Sequence, residues 1–354
     1  MLVIGVDVHK STHFLAAVNA VSGELRSSEQ VAATAAGHRG GLAWAERLDG
    51  ERVWAIEDCR HVSGSLERQL VQAGEHVVRV PPARTARTRS RTDRGKSDLI
   101  DALAVARAAL EEGIDQLPLA TVDEQAEQIK LLLDHREDLV GQRTDDERRL
   151  RWHLHRMCPE LEAQIPAGGL SRAKWQTKVS RRLGRLKDPT RVRICRHLLG
   201  AIKRNSTLAN ELESELATLV AAKAPQLTAQ VGCGTLTAAR IIAEVGDVTR
   251  FTNDAQLARL AGVAPIPASS GRTDRWRLDR RGNRRLNCAL HRWAVTRGRL
   301  DPETRDYLAR KQAEGKNRME ALRCLKRHLA RRTLNLLNQP TPTTSTIDTA
   351  LALT

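Results

Sequence analysis

An apolar run near the start of the chain, LVIGVDV at residues 2–8, contains a single acid, Asp7. The β-branched residues of this run are typical of a buried strand. A carboxylate in such a strand is costly to bury unless it has a partner. The chain must therefore build a sheet around this strand and place compensating groups beside Asp7.

Four further runs follow the pattern of strands, and three segments follow the pattern of helices. The predicted strands cover residues 13–19, 24–32, 52–57 and 76–80, and the predicted helices cover residues 36–48, 62–73 and 97–111. Pro81 and Pro82 end the last strand. Three strands followed by alternating helices and strands predict a mixed sheet with helices on its faces.

Three more acids fall where such a sheet can gather them. Glu57 ends the fourth strand, and Asp98 and Asp101 lie three residues apart on one face of a predicted helix. Together with Asp7 they supply the hard oxygen ligands that two Mg²⁺ ions need for phosphodiester cleavage. Asp58 competes with Glu57, but it would point to the opposite face of the sheet. Asp98 taken alone could be an ordinary acid at a helix N-terminus.

The chain is strongly basic, with 58 Lys and Arg against 42 Asp and Glu and a formal charge of +16. Such a balance favours a polyanionic partner, although charge can also serve solubility alone. One basic stretch lies between the last predicted strand and the acids of the following helix. It is predicted to bind nucleic-acid backbone, or to be a solvated loop that orders on binding. Its candidate contacts are Arg84, Arg87, Arg89, Arg91, Arg94 and Lys96.

Cysteine spacing and hydropathy exclude several classes of protein. The six cysteines lie far apart without a C-x-x-C pair, which argues against a disulfide framework and a zinc knuckle. No apolar run approaches the roughly 18 residues that span a bilayer, and no signal-peptide pattern is present. We expect a cytoplasmic protein in a reducing compartment, associated with the nucleoid and without a membrane partner.

The middle of the chain has no strand signal and is rich in heptad-like leucine spacing. The two leucine-rich arms contain Leu150, Leu154, Met157 and Leu161, and Leu208, Leu212, Leu216 and Leu219. A basic segment at residues 180–197 separates them. The pattern predicts a long helical hairpin that associates with another copy of the chain, and an intramolecular bundle is equally consistent with it.

Residues 227–247 have the pattern of a helix-hairpin-helix element. Gly232 and Gly234 allow a tight turn and leave backbone N–H groups free for a phosphate at the start of the next helix. The alternative is an ordinary tight turn.

A Ser-Ser-Gly sequence at residues 269–271 stands directly before a cluster of arginines. A serine among guanidinium groups is suited to attack a phosphodiester, since these groups bind the phosphate and stabilise the developing charge. Ser-Gly loops are common, so this pattern is only suggestive by itself. The arginines are Arg272, Arg275, Arg277, Arg280, Arg281, Arg284 and Arg285.

Several motifs together resemble the DEDD transposases, bacterial insertion-sequence recombinases whose N-terminal domain is similar to the RuvC Holliday-junction resolvase. GVDVHK, AIED and GKSDLIDALAVA resemble their first domain, and VGCGTLTAARIIAEVGD with the Ser-Gly and arginine segment resembles their second. The implied fold is α/β plus all-α, with an RNase H-like (RuvC-like) mixed sheet, a helical coiled-coil spacer and a mainly helical C-terminal domain. The expected boundaries are residues 1–115, 116–222 and 223–337, with a flexible tail at 338–354.

The resemblance also implies a chemistry. The acidic tetrad of the family carries over to Asp7, Glu57, Asp98 and Asp101 with Mg²⁺, and its covalent serine to Ser270, with Ser269 as a neighbouring alternative. The family acts on donor and target DNA, uses a guide (bridge) RNA from its element, and assembles as a dimer or a tetramer in which the acidic site of one subunit lies near the serine of another. The remaining hypotheses are a RuvC-like endonuclease that uses water and a catalytically dead nucleic-acid-binding derivative.

Overall fold

The computed structural model describes residues 1–58, 60–82, 84–86, 88, 97–267, 276–277, 279 and 282–339. The chain folds into two units, Met1–Val122 and Asp123–Thr354. Among the described residues, no helix has the length and apolarity that crossing a membrane would require.

Unit 1 is built on a five-stranded mixed sheet in the order β3-β2-β1-β4-β5. The strands are β1 Leu2–Val8, β2 Thr12–Asn19, β3 Leu25–Ala32, β4 Arg52–Glu57 and β5 His76–Val80. β2 pairs antiparallel with β1 and β3, whereas β4 pairs parallel with β1 and β5. The helices are α1 Ala35–Glu46, α2 Arg60–Gln72 and α3 Asp98–Glu112. This topology confirms the predicted RNase H-like mixed sheet.

The two faces of the sheet have separate apolar layers, because successive side chains of a strand point to opposite faces. Ile4 and Val6 of β1 belong to the layer that contains α1 and α2. Val3 belongs to the layer that contains α3, together with Ala55 of β4. A central strand covered on both faces explains why β1 is almost continuously apolar.

Two buried histidines lie within the sheet unit. His13 of β2 and His38 of α1 have their Nε2 atoms 3.2 Å apart, and their rings stack with centroids separated by 5.2 Å. The pKa of His13 is lowered to about 4, mainly by burial and to a smaller extent by the positive charge of His38 and of His9. Burial also lowers the pKa of His38. The pair is therefore neutral at pH 7.

Unit 2 is mainly helical. Its longer helices are α4 Glu124–Met157, α6 Ala173–Leu183, α7 Pro189–Lys223, α9 Thr235–Val245, α11 Arg284–Leu300, α12 Pro302–Ala313 and α13 Arg318–Leu337. Short helices α5 Pro159–Gln164, α8 Pro225–Thr228 and α10 Asp254–Leu260 connect them, and β6 Ile266–Pro267 pairs antiparallel with β7 Trp276–Arg277. The predicted helical spacer and mainly helical second half are confirmed.

The leucines with heptad-like spacing have different environments. Leu150, Leu154 and Leu161 are buried in an apolar core within unit 2, and Leu216 is buried in another core of that unit. Leu208 is 45% exposed. Association with another copy stays a prediction, as do the finer domain boundaries. The tail expected at 338–354 lies outside the described residues from position 340 onward.

Candidate functional site

The ends of β1 and β4 place two acids on one face of the sheet. The parallel register pairs Val6 with Ile56, and Asp7 and Glu57 are the next residues of the two strands. Paired residues of neighbouring strands point to the same face, so both acids point to the face opposite Val6 and Ile56. That face is the one that α3 covers, because Val3 and Ala55 share it.

Helix α3 brings two more acids to this face. Ser97 caps its N-terminus by accepting a hydrogen bond from the backbone N–H of Ile100, which starts the helix directly before Asp98. Gly5 of β1 lets α3 approach closely, since a Cβ at this position would lie 2.6 Å from the backbone nitrogen of Ala106. The first turn of α3 therefore lies beside the end of β1.

Asp7, His9 and Asp98 form a cluster at this point. Each offers a ligand atom, and these atoms all lie within 4.8 Å of one another. His9 Nε2 is 3.0 Å from Asp7 Oδ2 and 3.8 Å from Asp98 Oδ1. The Asp7 side chain is 14% exposed, whereas that of Asp98 is 53% exposed. The cluster is thus half-enclosed, with one side open to solvent.

The electrostatics of the cluster suit a cation. Burial raises the pKa of the Asp7 carboxyl, the negative charges of Asp101 and Asp98 raise it further, and His9 opposes this rise. Carboxylates that repel each other in a partly buried site are stabilised by a divalent metal ion, which prefers such hard oxygen ligands. The donor set therefore fits a divalent metal.

The predicted acids are placed as follows. The structure brings Asp7 and Asp98 together with Asp101, which is buried in the first turn of α3 and acts electrostatically on Asp7. Glu57 is half-buried at the end of β4, on the same face of the sheet as Asp7, and is not a member of the cluster of Asp7, His9 and Asp98. His9 was missed, although a residue two positions after Asp7 shares its face of an extended chain.

The basic loop predicted to bind nucleic acid is mostly outside the described residues. Arg84 is described, and its Nη1 lies 2.8 Å from Glu112 Oε1. Arg87, Arg89, Arg91, Arg94 and Lys96 lie outside the described residues. Arg84 is therefore tied to the C-terminal end of α3 within unit 1.

The glycines of the predicted helix-hairpin-helix element lie between α8 and α9. Gly232 has φ +82°, and a Cβ there would lie 2.7 Å from the backbone nitrogen of Arg297 on α11. Gly234 is the N-cap of α9, and no side chain caps this helix. The tight turn is present, and Gly232 also allows close packing within unit 2.

The predicted serine and most of its arginines are not covered by the structure. Ser269, Ser270, Arg272, Arg275, Arg280 and Arg281 lie outside the described residues. Arg277 belongs to β7, and Arg284 is exposed at the first position of α11.

The described residues on either side of the Ser-Gly segment meet at its base. A Cβ on Gly282 would overlap the backbone of Gly262, so these two glycines are in backbone contact. The backbone N–H of Asn283 donates to Leu260 O at 2.6 Å. The Asn287 amide donates to Ala261 O at 2.7 Å and accepts from Lys326 at 2.8 Å. The segment between Gly262 and Gly282 is thus held at both ends.

Helix α11 is anchored at its start by an ion-pair network. Arg240 of α9 is buried, and its Nη1 donates to Asp134 at 2.9 Å and to Glu244 at 3.0 Å. Arg285 also donates to Asp134 at 2.9 Å, and Asn283 donates to Glu244 at 2.7 Å. No pattern in the sequence predicted this network, because Asp134 lies more than 100 residues before both Arg240 and Arg285.

A mixed RNase H-like sheet with clustered carboxylates beside its first strand, in a strongly basic chain, defines a class of metal-dependent enzymes that act on nucleic-acid phosphodiesters. The DEDD transposase model of the IS110 group matches residues 4–159, and the model described as "Transposase IS116/IS110/IS902 family" matches residues 224–309. The chain belongs to this family of transposases. It is a DNA transposase or recombinase, as the resemblance implied.

Individual relatives cover nearly the whole chain. An uncharacterized 44.8 kDa protein of insertion element IS116 from Streptomyces clavuligerus is 30% identical, covering 92% of this chain and 91% of the relative. An uncharacterized 42 kDa protein of IS900 from Mycobacterium paratuberculosis is 28% identical, covering 94% of each. Among solved structures, T. thermophilus RuvC in complex with a Holliday junction substrate matches 34% of this chain and 99% of that chain, with 17% identity and a TM-score of 0.27.

Proposed function

We propose that this transposase cleaves and rejoins DNA with a metal-binding carboxylate site and a serine nucleophile. The observation that carries the proposal is the convergence of Asp7 and Asp98 at the end of β1, where these two acids and the His9 imidazole have ligand atoms within 4.8 Å of one another and Asp101 adds a further negative charge. Burial, together with the negative charges of Asp101 and Asp98, raises the pKa of Asp7, so its ionised form is costly to the fold and a bound cation would reduce this cost.

The proposed metal ligands are Asp7, Glu57, Asp98 and Asp101. The proposed metal is Mg²⁺, with two ions bound. When bound at these residues, two magnesium ions would supply positive charge near the attacking and the leaving oxygen of a phosphodiester. The chain's own contribution is rigid placement. Backbone pairing holds Asp7 opposite Phe14 of β2 and Glu57 opposite Val80 of β5, and the Ser97 cap holds the first turn of α3.

Ser270 is the proposed nucleophile, with Ser269 as its alternative. In this step the serine hydroxyl gives up its proton, its oxygen forms a bond to the scissile phosphorus, and the bond from phosphorus to the departing DNA oxygen breaks. The departing oxygen takes up a proton. Attack by a hydroxyl of another strand on the serine phosphodiester then reverses these steps and joins DNA. The arginines near Ser270 would hold the phosphate. The backbone contacts at Gly262 and Gly282 support this role by holding the ends of the segment.

The partners beyond DNA are proposed from the family resemblance. They are an element-encoded guide RNA, separate donor and target DNA, and further copies of this chain in a dimer or tetramer. The proposed nucleic-acid contacts of the second half are the turn at Gly232 and Gly234 and the arginines from Arg272 to Arg284. The proposed location is the cytoplasm, in association with the nucleoid.

A recombination assay in cells tests the two-part chemistry. The flanking DNA of the element is placed on plasmids, and joined products are measured for the wild type, Asp7→Asn and Ser270→Ala. We expect both variants to abolish joining, and a covalent protein–DNA adduct that depends on Ser270. Asp58→Asn and Ser269→Ala are matched controls, because each changes the direct neighbour of a proposed residue.

Each alternative has its own outcome. If Asp7→Asn is inactive but Ser270→Ala still cleaves, the nucleophile is water and the protein is a RuvC-like endonuclease. If Ser269→Ala replaces Ser270→Ala as the inactive variant, the nucleophile is Ser269. If the wild type binds DNA but never cuts it, the chain is a catalytically dead derivative and the proposal is wrong.

A further inference from the structure

Most of the excess positive charge of the chain lies in one helical part of unit 2. Residues 148–204, here called the basic module, contain 16 Lys and Arg against 3 Asp and Glu, a formal charge of +13 out of the chain's +16. The module extends from the last turns of α4 to the first half of α7. It has its own apolar core, which includes Leu150, Leu170 and Leu199. The charge is therefore a property of one folded region.

The cations of the module are mostly not used for internal ion pairs. Within the part of the chain that the structure describes, three of the sixteen cationic side chains have a carboxylate oxygen within 4 Å of a nitrogen. They are Arg148, Arg151 and Arg191. A groove of about 720 Å³ between the end of α6 and the start of α7 is lined by Lys187, Arg193, Arg196 and His197, among others. Charges of one sign at this density repel each other unless a polyanion is bound.

An exposed tryptophan, Trp152, lies on the basic module. This side chain on α4 is 81% exposed, whereas Leu150 and Leu154 on either side of it are buried in the module core. The residues three and four positions away along the helix share its outer face. They are Arg148, Arg149, His155 and Arg156, and all are exposed. An indole ring among cations on an open helix face is the combination that binds a nucleic-acid backbone and stacks on its bases.

The charge of this face argues against a second copy of the chain as its occupant. A symmetric contact between two copies would set Arg149 and Arg156 of one chain against the same residues of the other. A DNA duplex satisfies the charges but not the ring, because its bases already stack on each other. An unpaired nucleotide offers both a phosphate and a free base face.

We propose that the outer face of α4 around Trp152, with the rest of the basic module, is a binding surface for unpaired nucleotides of an RNA or a DNA strand. Trp152 stacks on an exposed base, and Arg149 and Arg156 bind the adjoining phosphates. The inference goes beyond the cleavage chemistry proposed above, since it involves neither the carboxylates nor Ser270.

The test is a binding titration with the full chain in EDTA, so that no cleavage contributes. The probes are labelled oligouridylate, oligothymidylate and a blunt DNA duplex, each titrated at several salt concentrations. We expect Trp152→Ala to weaken single-strand binding about tenfold and to leave the salt dependence unchanged, because stacking involves no phosphate. Trp152→Phe should retain most of the affinity. Leu131→Ala is the matched control, since Leu131 is a 65% exposed apolar residue on the same helix.

The double variant Arg149→Gln/Arg156→Gln gives the opposite signature. Its single-strand affinity should fall, and the slope of log K against log salt should decrease by about 1.4, or about 0.7 for each lost phosphate contact. A stronger effect on oligouridylate assigns the surface to RNA, and a stronger effect on oligothymidylate assigns it to displaced DNA. Both results support the proposal.

Three results would overturn it. The first is that Trp152→Ala binds single strands as the wild type does, and the second is that it loses duplex binding to the same extent as single-strand binding. The third is that it lowers the mass of the protein in sedimentation with unchanged binding, which would make the face a contact between copies. Because Trp152 is exposed, circular dichroism should show an unchanged fold. Strand joining is scored separately, so failure here leaves the Asp7 and Ser270 tests intact.

Discussion

The two units use charge in opposite ways. In the sheet unit, carboxylates converge on a half-enclosed position whose geometry is fixed by strand register, by a helix cap and by the absence of a side chain at Gly5. In the helical unit, the cations of the basic module surround an apolar core and stay mostly exposed. Partly buried charges are few and depend on position, whereas exposed charges are many and act through their sum. Substitutions in the first region should therefore have large effects on the free energy of unfolding. Substitutions in the second region should have small, additive effects on nucleic-acid affinity.

The largest loss of stability is expected when a side chain is added at the close contact between β1 and α3. Gly5→Val places a side chain against the backbone of α3 near Ala106, so the helix must move away or the unit must unfold. We expect a loss of about 3 kcal/mol or more in the free energy of unfolding, measured by urea denaturation.

Gly40→Ala is the control for this substitution. Gly40 lies within α1 with nothing within 4 Å of its added Cβ, so alanine should stabilise the helix slightly. If Gly5→Val were as stable as the wild type, the close approach of α3 would not fix the position of its acids.

Acid should destabilise the sheet unit through its buried histidines. The pKa of His13 is about 4 in the folded chain, against an ordinary value of 6.5, mainly because burial disfavours the charged ring. The unfolded chain therefore binds the proton first as the pH falls. Stability is intact above pH 6.5 and decreases from there to about pH 4, by about 3 kcal/mol for this group. Urea denaturation across this range measures the slope.

Two variants sharpen this expectation. His13→Leu should flatten the pH dependence between 6.5 and 4, since it removes the group that takes up the proton. His76→Gln should leave it unchanged, because His76 is exposed at the start of β5. An equal slope in all three proteins would assign acid sensitivity to other groups.

The sheet was predictable because its information is local. Runs with several β-branched residues defined β1, β4 and β5, and alternation along β1 and β4 was enough to place Asp7 and Glu57 on one face. The same reasoning could have found His9, two residues beyond Asp7. In contrast, the His13–His38 pair and the Arg240 network join residues distant in sequence, and no pattern in one segment reports them.

Heptad spacing predicted which face of each helix is apolar, but it did not predict which neighbouring helix covers that face. It correctly indicated that Leu150, Leu154 and Leu216 would be buried, yet Leu208 in the same register is half exposed. Spacing specifies which side of a helix is apolar, and the neighbouring helices decide how much of that side they cover. Trp152 was not noticed for the same reason, since its exposure follows from the helices packed around Leu150 and Leu154.

Divalent metal ions should stabilise the sheet unit by a smaller amount. Binding to the folded chain alone adds about 2.7 kcal/mol when the free ion is at about 100 times its Kd. Differential scanning calorimetry with Mg²⁺ or Mn²⁺ should show a higher Tm for the wild type, but not for Asp7→Asn.

The same variant reports on repulsion within the site. Burial and the neighbouring acids raise the pKa of Asp7, so its ionised form is disfavoured in the folded chain. Without metal, Asp7→Asn should therefore be slightly more stable than the wild type. Two results would contradict a metal site at this position. One is that Asp7→Asn is less stable than the wild type in EDTA, and the other is that added metal raises the Tm of both proteins equally.

The smallest effects are expected in the basic module. Arg196→Gln removes one cation from the groove between α6 and α7, whose lining keeps Lys187 and Arg193 for the proposed nucleic-acid strand. Affinity should fall less than about tenfold, and the salt slope by about 0.7 if one phosphate contact is lost. The free energy of unfolding should stay within about 0.5 kcal/mol of the wild-type value, as is usual for exposed positions.

Arg310→Gln on α12 is the control, because it removes the same charge outside the module. Its salt slope should equal that of the wild type. If Arg310→Gln weakened binding as much as Arg196→Gln, affinity would depend on net charge alone and the module would have no special role. If Arg196→Gln instead destabilised the fold by several kcal/mol, its charge would act as a buried partner does, and the contrast between the two units would fail.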